Sequence, residues 1–254
     1  MIELTNWYGL LGNNVLQILR AIYFAEKFGV PFVKIPEHHC LSTQFIEIES
    51  KIQKHHNSFT GTFFDLTEFN VENPDTLTLK NICKRYKKNV FNNFMTRDGG
   101  SLPSTGSITV RAHVRGGDVF GWRVHPSYLQ PPLSYYRHVI RNFHYCELVA
   151  QDTRNPVAKY LKREKNVVEI SKSEVDDFYA LASCENLVFS ASTFCYAAYL
   201  MSDVVKHIYI PDYYLRELPS GAWPNDVNVN IIELNGYLTN GTWRNTWKQR
   251  KKMI

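Results

Sequence analysis

The chain has 254 residues, of which 44% are hydrophobic and 21% charged, a composition that excludes a disordered or fibrous protein. Its formal net charge of +5 is mild and scattered, which suits an anionic small ligand and argues against nucleic acid as a partner. The sequence contains neither a signal peptide nor a run of about 18 apolar residues, so we expect no transmembrane segment and a soluble cytoplasmic protein or an excised soluble domain.

The cysteine and histidine pattern bears on redox state and metals. The 5 cysteines are widely spaced and odd in number, which favours free thiols in a reducing compartment over a disulfide framework. The pairs His38-His39 and His55-His56 are interpreted as solvated, because we recognise no carboxylate or cysteine companion at ligand spacing. We therefore predict no metal site and no cofactor. The basic run Lys248 to Lys252 is interpreted as a solvated segment.

The first elements in the chain predict a strand–helix–strand unit. Ile2 to Leu4 is a short apolar strand, and a turn with two glycines leads into a helix whose apolar residues recur at helical spacing. Gly29 ends this helix, and residues 30–35 read as the next strand. A glycine turn before a helix can hold an anion, although a tight turn alone also explains the pattern.

Residues 36–100 are less regular. We predict one or two strands within 59–69 and a basic helix over 80–94. The segment from Arg97 to Gly106 is rich in Gly, Ser and Pro, which favours an interdomain linker.

The most informative stretch runs from Ile108 to Asp118. It begins as an apolar, β-branched run and ends in a glycine-rich turn, as a buried parallel strand does at its carboxyl end, where ligands of open α/β sheets bind. His113 and Arg115 are two apart and share one face of the strand. An arginine fork beside two glycines suits a phosphate or pyrophosphate. The alternative is a surface Arg/Asp pair after an ordinary edge strand.

Strands and helices alternate through residues 108–210. The predicted strands cover 146–150, 167–170, 187–189 and 208–210, and the predicted helices start at Ser134, at Asn155-Pro156, after a Ser171–Glu174 capping box and at Cys195. The proline-rich segment 119–132 is too long for a simple turn and is predicted to be a functional loop. The alternation favours a parallel, doubly wound α/β sheet.

Polar residues follow three of these strands and share one edge of a parallel sheet. Asp118, Asp152 and the pair Ser192-Thr193 each stand just past a strand end. Arg115 and the helix N–H groups after Ser192 suit a pyrophosphate, and Asp152 suits a ribose hydroxyl or a guanine edge. Plain helix capping by the hydroxyls, and a loop carboxylate beside Arg154, remain the alternatives.

Four of these segments together resemble one enzyme superfamily. His113-Val-Arg115-Gly-Gly-Asp118 resembles the His-x-Arg-x-Gly-Asp motif of the α1,2-, α1,6- and protein O-fucosyltransferases. Gly9-Leu-Leu-Gly12-Asn13 resembles their Gly-Arg-Leu-Gly-Asn-Gln segment, with Leu10 in place of the basic residue and Asn14 in place of Gln. Val149-Ala-Gln-Asp152 resembles their strand-end Thr-Asp or Glu-Asp, and Ser192-Thr193-Phe194 their Ser/Thr-Ser/Thr-Phe motif. The order of the four segments agrees as well.

The resemblance implies a GT-B glycosyltransferase, in which two Rossmann-like domains face each other across a cleft. The acceptor-side domain would be 1–103 and the nucleotide-sugar-binding domain 104–254. The implied donor is GDP-fucose, used with inversion and without a metal. Donor binding falls by resemblance on His113, Arg115, Asp118, Asp152, Ser192, Thr193 and Phe194, while Gly12 and Asn13 would face the fucose or the acceptor.

The resulting hypothesis is transfer of fucose from GDP-fucose to a glycan hydroxyl. Arg115 would stabilise the charge that develops on the β-phosphate, and Asp118 is the first candidate for general base, or else orients the loop. Asn13 would contribute to catalysis from the other domain. Transfer of another GDP-sugar, and a non-catalytic nucleotide- or glycan-binding protein, are the alternatives. The sequence leaves the acceptor and the oligomeric state open.

Overall fold

The computed structural model describes residues 1–41, 44–49, 58–95, 108–219, 221 and 223–254. The chain divides into two compact units: unit 1 comprises Met1–Ser101, Tyr196–Met201 and Pro219–Pro224, and unit 2 comprises Leu102–Cys195, Ser202–Leu218 and Asn225–Ile254. The predicted division after residue 103 and the whole of the predicted linker, residues 97–106, lie outside the described residues. Within the described ranges, no helix combines the length and apolar character needed to cross a membrane.

Unit 1 is built on a small sheet in the order β3-β2-β1-β4. Its elements are β1 (Ile2–Leu4), α1 (Leu11–Lys27), β2 (Phe32–Lys34), β3 (Phe45–Glu47), β4 (Phe59–Gly61), a 3-10 helix (Leu66–Phe69) and α2 (Thr76–Met95). β1 lies parallel to both β2 and β4, so the predicted strand–helix–strand unit is confirmed, and only β3 is antiparallel. Helix α1 buries most of its apolar residues, including Val15, Leu19 and Ile22.

Unit 2 is built on a six-stranded sheet in the order β10-β9-β8-β5-β6-β7, with every neighbouring pair parallel. The strands are β5 (Thr109–Val114), β6 (Tyr145–Ala150), β7 (Val167–Glu169), β8 (Asn186–Val188), β9 (His207–Pro211) and β10 (Asn228–Ile232). The helices are a 3-10 helix (Gly117–Phe120), α3 (Leu133–Ile140), α4 (Pro156–Leu161), α5 (Glu174–Ala182), α7 (Asp212–Leu215) and α8 (Trp247–Lys252). The helix α6 (Thr193–Met201) begins in unit 2, and its residues from Tyr196 onwards are counted in unit 1.

The two faces of β5 are covered by different helices. Val110, Ala112 and Val114 are buried in one hydrophobic cluster with residues of α3 and α4. Arg111 and His113 point to the other face, where Arg111 donates to the carbonyl of Ala180 on α5 at 2.6 Å. The predicted doubly wound α/β class is therefore confirmed for unit 2. The strand predicted at 208–210 is present as β9, but the sequence pattern did not predict β10, which follows it and extends the sheet.

Candidate functional site

The strand order of unit 2 contains one topological switch point. From β5 the chain moves to β6 and β7 on one side, and from β8 it moves to β9 and β10 on the other. In open parallel sheets the crevice outside the carboxyl ends of such a strand pair is where ligands bind, because the two crossovers leave it uncovered. His113 lies at the end of β5 and Arg115 to Asp118 follow it, while Ser192 follows β8 and leads into Thr193 and Phe194 at the start of α6.

His113 is buried where β5 and β8 end. Its Nδ1 lies 2.7 Å from the Ser190 hydroxyl and 3.0 Å from Cys195 Sγ. The hydroxyl of Tyr136 donates to the His113 carbonyl at 3.0 Å. The ring also packs against Phe194, with 5.4 Å between the ring centroids. These contacts fix the orientation of the imidazole between the ends of β5 and β8. Its Nδ1 is occupied by Ser190 and Cys195, so that nitrogen is not available to a ligand.

Burial controls the protonation of this cluster. Desolvation, with a further contribution from the charge of Arg115, lowers the pKa of His113 to about 3. Desolvation likewise raises the pKa of Cys195 to about 12. At neutral pH the histidine is neutral and the cysteine is a thiol, so the cluster supplies hydrogen bonds to the site but no charge.

The charge at this edge comes from Arg115, whose side chain is only 18% exposed. Its Nη2 donates to Asp118 Oδ2 at 3.1 Å, and its guanidinium lies 5.0 Å from the centre of the Tyr128 ring. The Asn155 side chain donates to the Arg115 carbonyl at 2.8 Å. Asp118, predicted as a general base, is therefore the counter-ion that orients the guanidinium, and its side chain is 50% exposed.

Asp152 braces the glycine loop between Arg115 and Asp118. Its Oδ2 accepts from the Gly117 N–H at 3.0 Å, and its Oδ1 accepts from the Arg154 N–H at 2.8 Å. Gly117 has φ +65°, and a Cβ on Gly116 would lie 2.3 Å from Asp152 Oδ1. Burial raises the pKa of Asp152, but hydrogen bonds from Arg154 and Gly117 outweigh it and hold the pKa below its usual range. The carboxylate predicted to meet a ribose or guanine is thus engaged in holding the loop.

The loop after β8 leads into α6. Ser192 is buried, and its Oγ accepts from the Phe194 N–H at 3.2 Å, as the capping alternative expects. Thr193 is the first residue of α6, and the Phe194 ring packs on Phe178. Gln130 is fully buried beside this turn and donates to the Ala191 carbonyl at 3.1 Å.

The side-chain oxygen of Gln130 is an unpaired hydrogen-bond acceptor at this turn. This atom, Oε1, is buried and has no hydrogen-bond partner among the described residues. A buried amide oxygen without a partner costs about 1–3 kcal/mol, so this oxygen destabilises the turn by an amount that no described side chain offsets.

Gly12 and Asn13 belong to unit 1. The helix α1 begins at Leu11, so Gly12 lies within its first turn rather than in the turn before it. Gly9 has φ +73°, and a Cβ there would lie 2.3 Å from Asn13 Nδ2. Asn13 Oδ1 is buried and accepts no hydrogen bond from a described residue.

One group of possible metal ligands occurs among the described residues. The ligand atoms of His38, His39 and Cys40 lie within 4.8 Å of one another, so the expectation that no cysteine stands at ligand spacing is wrong. His38 Nδ1 accepts from the Cys40 N–H at 3.1 Å, and its Nε2 lies 3.2 Å from Asn14 Oδ1. Both ring nitrogens are engaged, so ligation by His38 would break one of these contacts. His55-His56 lie outside the described residues.

Sequence reasoning missed the residues that support the arginine loop. Gln151 accepts from the Gly116 N–H at 3.2 Å, while Asn155, Tyr128 and Ser190 hold Arg115 and His113. Asn155 was recognised only as a helix start, a role it also has, since it caps α4. The available signal was its place in the loop that follows β6, five residues past Ala150.

No family model, curated protein or solved structure matches the chain.

Proposed function

We propose that the chain is an inverting glycosyltransferase that transfers fucose from GDP-fucose to a glycan hydroxyl. The observation that carries the proposal is the switch point between β5 and β8, where a two-glycine loop bearing Arg115 lies at the same sheet edge as the start of α6. A guanidinium and the free N–H groups of a helix start are the groups that bind a diphosphate. The choice of GDP-fucose rests on the motif resemblance.

The site chemistry fits departure of a nucleoside diphosphate. As the glycosidic bond to the β-phosphate breaks, negative charge grows on the leaving oxygen and is stabilised by Arg115 and the α6 N–H groups. Asp118 fixes the direction of the guanidinium and stays the candidate acceptor for the proton of the attacking hydroxyl. His113 is neutral and buried, so it supports the arginine loop through hydrogen bonds and brings no second positive charge to the phosphate.

The GT-B arrangement is part of the proposal. In it Gly12 and Asn13 of unit 1 face the sugar or the acceptor. The buried, unpartnered Oδ1 of Asn13 supports this, because an acceptor hydroxyl or the fucose would supply the missing donor. Leu10, which replaces the basic residue of the motif, is 60% exposed and offers no charge to the donor.

The deciding experiment is a donor screen with the full chain. Hydrolysis and transfer would be followed with GDP-fucose, GDP-mannose and UDP-sugars on a glycan array, with GDP binding measured by calorimetry. Turnover of GDP-fucose alone supports the proposal. Preference for GDP-mannose would leave the proposed transferase class in place and replace fucose as the donor sugar. GDP binding without any turnover would indicate a non-catalytic binding protein.

Nucleotide affinity should depend on Arg115. Arg115→Ala removes a charge-assisted contact worth roughly 1.5–3 kcal/mol, so GDP affinity should fall about tenfold to a hundredfold. Arg115→Lys should restore only part of it, because an ammonium lacks the two-pronged geometry. Arg163→Ala is the matched control, since Arg163 also lies over a tyrosine ring, at 5.7 Å, away from this loop. Equal GDP affinity of wild type and Arg115→Ala by calorimetry would refute the assignment.

Transfer should survive chelation. Under the proposal Arg115 and the α6 N–H groups carry the role that a divalent ion has in metal-dependent transferases. Activity after EDTA treatment and desalting should therefore equal that of the untreated protein. Loss of transfer that Mn²⁺ or Mg²⁺ restores would contradict the prediction, and a His39→Ala variant would then show whether the His38–Cys40 group holds the ion.

A further inference from the structure

The segment after the arginine loop and the C-terminal residues of the chain form one surface in unit 2. We call it the aromatic–basic surface and define it by its exposed members: Trp122, Arg123, Arg244, Trp247, Lys248, Lys251 and Lys252. The two tryptophans are 89% and 66% exposed. Indole rings this exposed are unusual in a folded protein, because Trp is highly buried on average.

Hydrogen bonds hold the two segments side by side. The buried indole of Trp243 donates to the Val119 carbonyl at 2.9 Å. The side chain of Asn245 donates to the Gly121 carbonyl at 2.7 Å, and Arg250 donates to Asn245 Oδ1 at 2.7 Å. Gly121 directly precedes Trp122, and Asn245 stands two residues before Trp247. The two exposed rings are therefore carried by a braced pair of segments.

Each exposed ring has a cation on its face. The guanidinium of Arg123 lies 4.7 Å from the centre of the Trp122 ring, and the Lys251 ammonium lies 3.8 Å from that of Trp247. Each indole ring and the cation on its face can therefore contact the same partner. A side chain that combines an apolar body with a polar or charged tip suits a boundary between water and an apolar phase.

The charge of this region is of one sign. Residues 119–132 and 239–254 contain no Asp or Glu and contain six Lys and Arg, namely Arg123, Arg244, Lys248, Arg250, Lys251 and Lys252. Of the 29 Lys and Arg and 24 Asp and Glu in the chain, this leaves 23 cations against 24 acids elsewhere. The expectation of a scattered positive charge is therefore wrong: the net positive charge is concentrated where the two tryptophans are exposed, which favours an anionic partner.

We infer that the aromatic–basic surface docks the protein on an anionic lipid membrane. Two signals are needed for stable peripheral attachment, an inserted apolar group and a basic cluster, and this surface supplies both. Tryptophan concentrates at the headgroup level of bilayers, with its ring in the apolar layer and its N–H towards water. The inference is independent of the proposed transferase activity, because its residues are not among those assigned to the donor.

A bilayer fits these residues better than a nucleic acid does. Readers of single-stranded nucleic acid line up successive aromatic rings along a basic groove, and duplex readers place an element in a groove. Here two rings stand on separate short segments, and Arg123 and Lys251 already lie over their faces. The rings can enter a headgroup layer edge-on with their cations at the phosphate level.

Vesicle binding of the full chain tests the inference. Co-sedimentation would be measured with vesicles of phosphatidylcholine alone and of phosphatidylcholine mixed with phosphatidylserine, at low and at high salt. We expect binding only to the mixed vesicles, weakened by salt because surface charges are screened. Equal binding to both vesicle types, or none to either, would overturn the inference. Tighter binding to single-stranded DNA than to the mixed vesicles would do the same.

Two variants separate the two signals. Lys248→Ser/Lys251→Ser/Lys252→Ser should lower the partition onto mixed vesicles by about a hundredfold. Trp122→Ser/Trp247→Ser should also lower it and should remove the blue shift of tryptophan fluorescence that vesicles cause in the wild type. Arg163→Ser/Lys165→Ser, two exposed cations elsewhere in unit 2, is the control and should bind as the wild type does. All these side chains are exposed, so circular dichroism should show each variant folded. Wild-type partition by both surface variants would overturn the inference.

Discussion

Acidification should destabilise unit 2 through His113, by as much as about 5 kcal/mol between about pH 6.5 and about pH 3. Burial lowers the pKa of this histidine from 6.5 to about 3 in the folded chain. Between these values the unfolded chain binds a proton that the folded chain does not, so the unfolded state gains stability as the pH falls. The contribution is fully present above about pH 6.5 and is lost as the pH falls towards about 3.

The measurement is the free energy of unfolding by denaturant at a series of pH values. One proton taken up on unfolding gives a slope of about 1.4 kcal/mol per pH unit in this window. His113→Gln can still hydrogen-bond Ser190 but does not titrate, so it should lose this part of the slope while being less stable at neutral pH. His144→Gln, at an exposed position, is the control and should keep the slope. Identical slopes for wild type and His113→Gln would contradict a buried neutral histidine.

The elements that sequence patterns could predict are those set by local chemistry. The β-branched run of β5 followed by two glycines gave both a strand and the loop at its carboxyl end. Asn155-Pro156 marked the start of α4 because both residues act within one turn of the chain. The capping box after β7 was placed two residues too early. It is formed by Ser173 and Asp176, while Ser171 accepts from the Ala150 N–H at 2.7 Å.

The remaining features depend on contacts between residues distant in sequence. Strand order follows from which strands pair, so alternation could predict a parallel sheet but not the switch point between β5 and β8. The sequence did not indicate that Asp152 holds the Gly116-Gly117 loop. The two are more than thirty residues apart, and the hydrogen bond from Gly117 to Asp152 forms only in the folded sheet. Burial of His113 likewise depends on contacts with Phe194 and Cys195, which lie about eighty residues further along the chain.

Gly116→Ala should abolish measurable nucleotide binding if the arginine loop is the diphosphate site, with a loss of more than about a hundredfold. Gly116 has φ −118°, a value that other residues also adopt, so the loss of binding would come from a steric clash of the added methyl group. The new Cβ would lie 2.3 Å from Asp152 Oδ1 and 2.9 Å from Cγ. Asp152 is short and held by Gly117 and Arg154, so the clash can be relieved only by breaking those hydrogen bonds or moving the loop.

A double-mutant cycle with Asp152→Ala isolates this mechanism. Asp152→Ala removes the brace and should weaken GDP binding by itself, but it also removes the atoms that the Gly116→Ala methyl would meet. The double variant should therefore bind GDP like Asp152→Ala alone and better than Gly116→Ala alone, a coupling that independent sites do not show. Gly236→Ala is the control, because a Cβ there meets nothing within 4 Å although its φ of +76° strains the backbone. Simple addition of the two single losses would mean that Gly116 acts through something other than Asp152, and that the braced loop does not set the position of Arg115.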